Sequence, residues 1–310
     1  MRVVATAPLA VDAAALLGPA VRFEAPAAGR MDRAALLAAV PGADGLIALL
    51  TDRVDGELLE VAGPQLRVVA NHAVGVDNVD LAACTRRGVV VTNTPDVLTE
   101  ATADLTFALL LAAARRIVEG DALVRGGRWT GWEPTQHLGL DVAGATLGLV
   151  GLGRIGTAVA RRAGGFGMTV IHHSRSGGVP FDELLVTSDF VSLHCPLDAT
   201  TRHLIDAAAL ARMKPTAILV NTARGACVDE AALAEALAAG RIAGAGLDVF
   251  EAEPRVHPGL LASPKVVLAP HAGSATTSAR SRMGAICATA VRAVLEGQRP
   301  PTVVNPEVYD

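Results

Sequence analysis

The segment Thr146-Leu-Gly-Leu-Val-Gly-Leu-Gly-Arg-Ile-Gly156 decides the fold of this chain. Its first five residues suit a buried strand, its glycines have the spacing G-x-G-x-x-G, and a helical pattern continues from Ile155 to Ala163. In this order the first glycine permits a tight turn, the second lets the main chain approach a phosphate, and the third packs helix on strand. The N–H groups at the positive end of the helix then bind a pyrophosphate. The segment therefore predicts a dinucleotide site formed by Gly151, Gly153 and Gly156.

The rest of the chain alternates short β-branched runs with Ala- and Leu-rich helical patterns, which indicates βαβ units and parallel sheets. The predicted strands span residues 2–5, 21–24, 45–48, 66–70, 89–92, 146–150, 168–172, 190–194, 217–221, 244–249 and 266–269. A long helical pattern at 276–295 suggests a return to the first domain. The predicted class is α/β with two doubly wound parallel-sheet domains. A Rossmann dinucleotide-binding domain, residues 99–280, is inserted into a flavodoxin-like substrate domain made of residues 1–98 and 281–310.

Composition excludes several other kinds of protein. The 310 residues carry a net charge of −4, so no basic field is expected to attract nucleic acid or an anionic membrane. Four cysteines lie far apart without a C-x-x-C pair, which argues against a zinc site and against a disulfide framework. The N-terminus reads as a strand rather than a signal peptide, and the longest apolar run, 105–114, is too short to span a bilayer. We expect a cytoplasmic protein in a reducing compartment, without a bound metal.

The strand that follows the glycine segment ends in an unusual sequence, Val170-Ile-His-His-Ser-Arg-Ser176. In NAD sites an acid about twenty residues after the glycines accepts hydrogen bonds from the adenosine ribose. Ser174, Arg175 and Ser176 occupy those positions, where an arginine and hydroxyl groups would bind a 2′-phosphate. The sequence therefore predicts NADPH as the preferred cofactor and NADH as the second option. The alternative is that Arg175 stacks on adenine or faces water, and residues 176–180 form a short connection that would loosen the preference.

Three polar residues follow successive predicted strands of the second sheet: Arg224, Glu253 and His271. Reduction of a 2-oxo acid needs a cation for the substrate and an acid that protonates the carbonyl oxygen. Arg binds carboxylates bidentately, His suits the acid, and Glu favours its imidazolium form. Taken alone, each residue is more often structural: a loop-capping arginine, a turn carboxylate and a hydrogen-bonded histidine. Their occurrence together downstream of a phosphate loop favours catalysis.

Six segments together resemble the D-isomer-specific 2-hydroxyacid dehydrogenases over nearly the whole chain. They are Asn71-His-Ala-Val-Gly-Val-Asp-Asn-Val-Asp80, the glycine segment, His194-Cys-Pro-Leu197, Asn221-Thr-Ala-Arg-Gly225, Leu247-Asp-Val-Phe-Glu-Ala-Glu-Pro254 and Pro270-His-Ala-Gly-Ser274. Within the family the chain is most similar to glyoxylate/hydroxypyruvate reductases, through residues 49–53, 92–96 and 129–132.

The resemblance implies a role for each matching residue. Arg224 would bind the 2-oxo acid, His271 would be the acid/base and Glu253 its partner. The Val74 and Gly75 N–H groups would bind the substrate carboxylate, and Leu50 would shape the pocket. The predicted cofactor-binding residues are of two kinds. Gly151, Gly153, Gly156, Ser174, Arg175 and Ser176 follow from the sequence argument above, and the resemblance adds Thr102, Arg154, Ile155, Cys195, Pro196, Thr201, Thr222, Asp248, His271 and Gly273. Structural alternatives are a simple turn for Val74-Gly75 and a strand-end cap for Asp248.

The predicted activity is NADPH-dependent reduction of glyoxylate or hydroxypyruvate to the D-2-hydroxy acid. Two alternatives stay open: an NAD-dependent dehydrogenase of D-lactate, D-glycerate or phosphoglycerate type, and a non-enzymatic corepressor-like protein that senses a dinucleotide. A long helix is predicted at 100–117 and an irregular arm at 126–141. The apolar 105–114 part of the helix and the arm around Trp129 and Trp132 would form a homodimer interface, with Trp132 closing the partner's substrate pocket. The alternative for the apolar helix is burial within one chain.

Overall fold

The computed structural model describes residues 1–310, which divide into two compact units: residues 1–98 with 275–310, and residues 99–274. Residues 1–98 contain β1 (Arg2–Ala5), α1 (Ala13–Leu17), β2 (Arg22–Glu24), α2 (Arg33–Ala39), β3 (Gly45–Leu49), α3 (Gly56–Ala62), β4 (Val68–His72), α4 (Leu81–Arg86) and β5 (Val90–Thr92). Residues 99–274 contain α5 (Thr99–Ala114), α6 (Ile117–Arg125), β6 (Thr146–Val150), α7 (Arg154–Gly165), β7 (Thr169–Ser174), β8 (Gly177–Gly178), α8 (Phe181–Thr187), β9 (Phe190–Leu193), α9 (Ala207–Arg212), β10 (Ile218–Asn221), α10 (Glu230–Ala238), β11 (Gly244–Leu247), α11 (Pro258–Ala262) and β12 (Val266–Leu268). The C-terminal segment contains α12 (Thr277–Leu295).

The first unit is built on a five-stranded parallel sheet with the order β2-β1-β3-β4-β5. This is the flavodoxin-like doubly wound order, in which the order reverses between β1 and β3. The helix α12 packs on one face through Cys287, Ala288 and Val291. Loops that follow β3 and β4 are neighbours because these two parallel strands pair directly.

The second unit is built on a seven-stranded sheet with the order β12-β11-β10-β9-β6-β7-β8. All strands are parallel except the short β8, which pairs antiparallel with β7. The order reverses between β6 and β9, and ligands of doubly wound folds bind beyond the strand ends at such a point. Two parallel-sheet domains, one of them a Rossmann domain, confirm the predicted fold class.

The second boundary between the units differs from the prediction. It lies between Ser274 and Ala275, whereas the predicted boundary between residues 280 and 281 falls inside α12. The Thr276 hydroxyl accepts a hydrogen bond from the Ala279 N–H and caps the helix. The helix therefore starts before the predicted boundary, and its first turn belongs to the first unit.

The predicted helix at 100–117 is wrong at its C-terminal end. The helix α5 ends at Ala114, Arg116 has a left-handed φ of 53°, and the chain restarts as α6. The Ala114 carbonyl accepts a hydrogen bond from the Leu140 N–H at 2.8 Å. This tertiary bond occupies the carbonyl that a continuing helix would use for its next turn.

The apolar run within α5 is buried in its own chain, which is the alternative considered for it. Phe107, Leu109, Leu110 and Ala114 lie in the core of the second unit. None of the helices is long and apolar enough to cross a membrane.

The remaining strand ends differ from prediction by at most two residues. The short β8 was not predicted: β7 continues through Ser174, and the chain then folds back into a tight hairpin. Gly178 has a φ of 102°, and a Cβ atom there would overlap the His172 carbonyl oxygen. Glycine is therefore required at this position, and the short 176–180 connection is an ordered turn.

Candidate active site

Arg224, Glu253 and His271 follow three neighbouring strands of the second sheet. They come after β10, β11 and β12 respectively, and these strands lie side by side and parallel. A Cβ atom on Gly225 would overlap the Phe250 carbonyl group, so the loop that carries Arg224 packs directly against the loop that leads to Glu253. The sheet thus brings all three predicted catalytic residues to one edge.

His271 and Glu253 form a close pair. Nδ1 of the imidazole lies 2.9 Å from Oε2 and 3.1 Å from Oε1 of the carboxylate, and each side chain is about a quarter exposed. Glu253 also accepts a hydrogen bond from the Phe250 N–H at 3.0 Å. Because Nδ1 faces the carboxylate, the other ring nitrogen, Nε2, is the atom available to a substrate.

The electrostatic setting keeps the Glu253 carboxylate ionised. Burial by itself would raise its pKa, but hydrogen bonds from His271 and Phe250, with the positive charges of His271 and Arg224, lower the pKa below its ordinary value. The ionised carboxylate accepts a hydrogen bond from Nδ1 of His271 and so orients the imidazole ring. Arg224 also donates to the Ala223 carbonyl at 2.8 Å, and its own carbonyl accepts from the Asn221 amide at 2.9 Å.

His271 is held in an uncommon backbone conformation. Its φ is 53°, in the left-handed region, and its N–H donates to the Asp248 carbonyl at 2.8 Å. The buried Asp248 carboxylate accepts the next two N–H groups, from Ala272 at 2.6 Å and Gly273 at 2.8 Å. Burial raises the pKa of the Asp248 carboxyl above its ordinary value. Asp248 therefore caps the His271 loop. Its role in ribose or amide binding stays a prediction.

The glycine segment has the geometry that a dinucleotide requires. Gly151 has a φ of 97°, and a Cβ atom there would lie 2.8 Å from the main chain of His194 and Cys195. A Cβ atom on Gly156 would overlap the Gly151 carbonyl oxygen, whereas at Gly153 it would meet open space. Gly153 is the N-cap of α7 and leaves the first-turn N–H groups without a side-chain cap. These residues fit a pyrophosphate at the helix N-terminus.

The predicted 2′-phosphate residues lie on the β7–β8 hairpin. The hydroxyl groups of Ser174 and Ser176 are 3.0 Å apart, and the Ser174 hydroxyl donates to the Gly177 carbonyl at 3.1 Å. The Arg175 side chain is 83% exposed, and its guanidinium lies 3.8 Å from the Asp198 carboxylate. Sequence reasoning missed Asp198.

The loop after β9 carries Asp198 between two predicted adenosine-side residues, Pro196 and Thr201. The Thr201 hydroxyl donates to the Pro196 carbonyl at 2.7 Å. The Asp198 carboxylate accepts from the Thr200 N–H at 2.8 Å, which fixes the turn. The loop is therefore ordered by its own hydrogen bonds where it faces Arg175.

Two predicted cofactor residues have hydroxyl groups inside the core. Thr102 donates to the Gly273 carbonyl at 3.2 Å, and Thr222 shares a hydrogen bond of 2.9 Å with Thr106. Sequence reasoning missed Thr106, since nothing in the run 105–114 distinguishes it from a core threonine. These bonds tie α5 to β10 and to the His271 loop.

The remaining predicted residues lie on three separate segments. Leu50 follows β3 directly, and Val74 and Gly75 follow β4, the neighbouring parallel strand of the first unit. Trp132 lies on the arm and is 82% exposed. No group of three His, Cys, Asp or Glu side chains could hold a metal ion.

Comparisons with known proteins agree on one family. Residues 107–273 match the family described as D-isomer specific 2-hydroxyacid dehydrogenase, NAD binding domain. The chain is 53% identical over 291 residues to a glyoxylate reductase from Thermococcus litoralis, covering 89% of this chain and 88% of that protein. The structure resembles the TT0316 protein from Thermus thermophilus, with a TM-score of 0.93, 49% identity, and coverage of 98% and 100% of the two chains.

A third relative was solved with bound ligands. It is an NADPH-dependent glyoxylate/hydroxypyruvate reductase from Sinorhizobium meliloti in complex with NADP and malonate, with a TM-score of 0.84, 34% identity, and coverage of 99% and 97% of the two chains. The chain belongs to the D-isomer-specific 2-hydroxyacid dehydrogenases, as an NAD(P)-dependent oxidoreductase of the glyoxylate reductase type.

Proposed function

We propose that the chain reduces glyoxylate or hydroxypyruvate to the D-2-hydroxy acid, with NADPH preferred over NADH. The observation that carries this proposal is the His271–Glu253 pair, which lies beside Arg224 at the sheet edge of a dinucleotide-binding unit. The small 2-oxo acid class follows from the family, and the choice of these two substrates rests on the glyoxylate reductase relatives.

Each side chain of the trio has a distinct task in this proposal. Arg224 holds the 2-oxo acid and polarises its carbonyl through charge-assisted hydrogen bonds. A reduced dinucleotide held by the glycine segment would supply the hydride that the carbonyl carbon accepts. His271 donates the Nε2 proton to the carbonyl oxygen and is left as a neutral imidazole whose Nδ1 proton faces Glu253. Glu253 stabilises the imidazolium before transfer and fixes the ring orientation.

The cofactor would be held by the residues predicted for it. The N–H groups at the start of α7 bind the pyrophosphate, and Ser174, Arg175 and Ser176 bind the 2′-phosphate. Support for NADPH is the absence of an acid at the end of β7 and the exposure of Arg175. The Asp198 carboxylate is a competing partner for this arginine, so phosphate binding would displace a weak surface contact.

Replacing Arg175 with alanine is expected to reduce the preference for NADPH. The loss of a charge-assisted hydrogen bond to the 2′-phosphate should lower kcat/KM with NADPH about tenfold or more and leave the value with NADH nearly unchanged. Steady-state kinetics with both cofactors measure the ratio. Arg241→Ala, at an exposed position between α10 and β11, is the matched control. An unchanged ratio in Arg175→Ala would remove this residue from cofactor selection.

The substrate proposal is tested by a panel of 2-oxo acids with both cofactors. We expect the highest kcat/KM for glyoxylate or hydroxypyruvate, with lower values for pyruvate and for phosphorylated acids. A clear preference for one of those others would favour a D-lactate or phosphoglycerate dehydrogenase instead.

We also propose a homodimer in the cytoplasm. The helix α6 has no buried residue and exposes Ile117 and Val118. The arm that follows it exposes Trp129 and Trp132. Such apolar exposure on adjoining segments favours a protein partner, and a second copy would cover both arms by two-fold symmetry. Sedimentation at micromolar concentration should give the dimer mass, and Trp132→Ser should weaken the dimer. A wild-type monomer would contradict the proposed dimer.

The proposed cytoplasmic location is supported by the cysteines. All four are free, as expected in a reducing compartment.

A further inference from the structure

Three asparagine side chains surround the loop at residues 73–76 in the first unit, and the catalytic proposal assigns them no task. The Asn93 amide donates to the Val74 carbonyl at 2.8 Å, and the Asn71 amide donates to the Gly75 carbonyl at 2.8 Å. The Ala73 carbonyl accepts from the Thr94 N–H, also at 2.8 Å. Three consecutive carbonyls of the loop are therefore each fixed by a donor.

Fixing these carbonyls also fixes the N–H groups. In a planar trans peptide the C=O and the following N–H point in opposite directions. The N–H groups of Val74, Gly75 and Val76 therefore point away from Thr94, Asn93 and Asn71 respectively. None of the three N–H groups has an acceptor within the chain. A row of oriented, unpaired N–H groups is a main-chain site for an anion such as a carboxylate.

The side-chain amide of Asn78 holds the Asn71 side chain in position. The two side chains exchange hydrogen bonds of 3.1 Å, and the Asn78 amide also donates to the carbonyls of Leu49 at 3.1 Å and Asp52 at 2.9 Å. The buried Asp52 carboxylate in turn accepts from the Leu49 N–H at 2.7 Å and from the Thr6 hydroxyl. This network joins the loop after β3, which carries Leu50, to the loop after β4.

We propose that Asn71, Asn78 and Asn93 are positioning residues that orient the Val74, Gly75 and Val76 N–H groups toward the substrate carboxylate. The inference rests on the proposed function, because that function assigns the carboxylate to this loop. The asparagines act through the main chain and do not touch the substrate. The burial of Asn71 supports this role. The side chain is fully buried, and its amide nitrogen and oxygen form hydrogen bonds only with Gly75 and Asn78.

The test is Asn93→Leu, which removes the donor to Val74 while keeping a similar volume. We expect KM for glyoxylate and Ki for oxalate, an unreactive dicarboxylate, to rise together by about tenfold or more. This is the effect expected from the loss of one charge-assisted hydrogen bond to the bound carboxylate. The rate at saturating glyoxylate and the Kd for NADPH should change much less. Asn71→Leu should behave in the same way where it folds.

The matched control is Asn305→Leu in the same unit. Asn305 is buried and also fixes the main chain, since it accepts from the Val91 N–H at 2.7 Å and donates to the Val89 carbonyl at 2.9 Å. Its loss should lower Tm without changing KM or Ki. If folded Asn93→Leu keeps wild-type KM and Ki, or Asn305→Leu raises them equally, the positioning role is overturned while the proposed function stands. If the wild-type protein neither turns over glyoxylate nor binds oxalate, both proposals are overturned.

Discussion

Replacing His271 with alanine is expected to lower kcat for glyoxylate reduction by about two to four orders of magnitude. The imidazole is the acid that the proposal places against the substrate, held by its 2.9 Å contact with Glu253. Without it, the developing alkoxide must take its proton from water. NADPH binding should stay nearly intact, because the glycine segment that would hold the pyrophosphate follows β6 rather than β12. Steady-state kinetics and fluorescence titration of NADPH measure the two quantities.

A second histidine–carboxylate pair in the same unit provides the control. His203 Nε2 lies 2.6 Å from Glu251 Oε1, two residues from Glu253. His203→Ala should retain activity, because the proposal gives this pair no part in proton transfer. Turnover in His271→Ala close to that of wild type would show that another group supplies the proton.

Replacing Glu253 with glutamine is expected to lower kcat for glyoxylate reduction about tenfold or more. The amide keeps the shape of the side chain, but it no longer places a negative charge against His271 Nδ1, where the carboxylate lies at 2.9 Å. Steady-state kinetics measure the change. Glu251→Gln is the matched control, and its kcat should follow that of wild type. An unchanged kcat in Glu253→Gln would remove Glu253 from the mechanism.

The same variant predicts a pH dependence of stability. Because the folded-state pKa of Glu253 is lowered, its contribution to stability is present above the unfolded-state pKa and is lost as pH falls through the folded value. The difference in Tm between wild type and Glu253→Gln should therefore be largest near neutral pH and shrink in acid. Thermal melts across that range measure it. A difference that grows toward acid would contradict the direction of the pKa shift.

Local sequence predicted those parts of the molecule that local chemistry determines. The glycine spacing at 151–156 follows from backbone room alone, and the structure shows the close approaches at Gly151 and Gly156 and the open space at Gly153. Arg224, Glu253 and His271 could be predicted as a group because parallel strands place their carboxyl ends on one edge of the sheet. Residues that follow neighbouring strands therefore lie close together. Neither inference required knowledge of contacts between distant loops.

Features that depend on tertiary contacts were not predicted. The break after Ala114 depends on the Leu140 N–H, and the Asp198 carboxylate meets Arg175 only because the loops after β7 and β9 lie at one end of the sheet. The asparagines around residues 73–76 were likewise missed as a group. Asn93 lies well beyond β4 in sequence, and an asparagine after a strand is ordinarily interpreted as a turn residue.

A crystal structure of the protein with NADP and oxalate tests the central claim most directly. The proposed roles predict that His271 Nε2 and the Arg224 guanidinium both lie within about 3 Å of the bound oxalate. The hydrogen bond between His271 Nδ1 and the Glu253 carboxylate should be retained. Oxalate bound away from both side chains, or a His271 ring turned so that Nδ1 faces the ligand, would contradict the assignment.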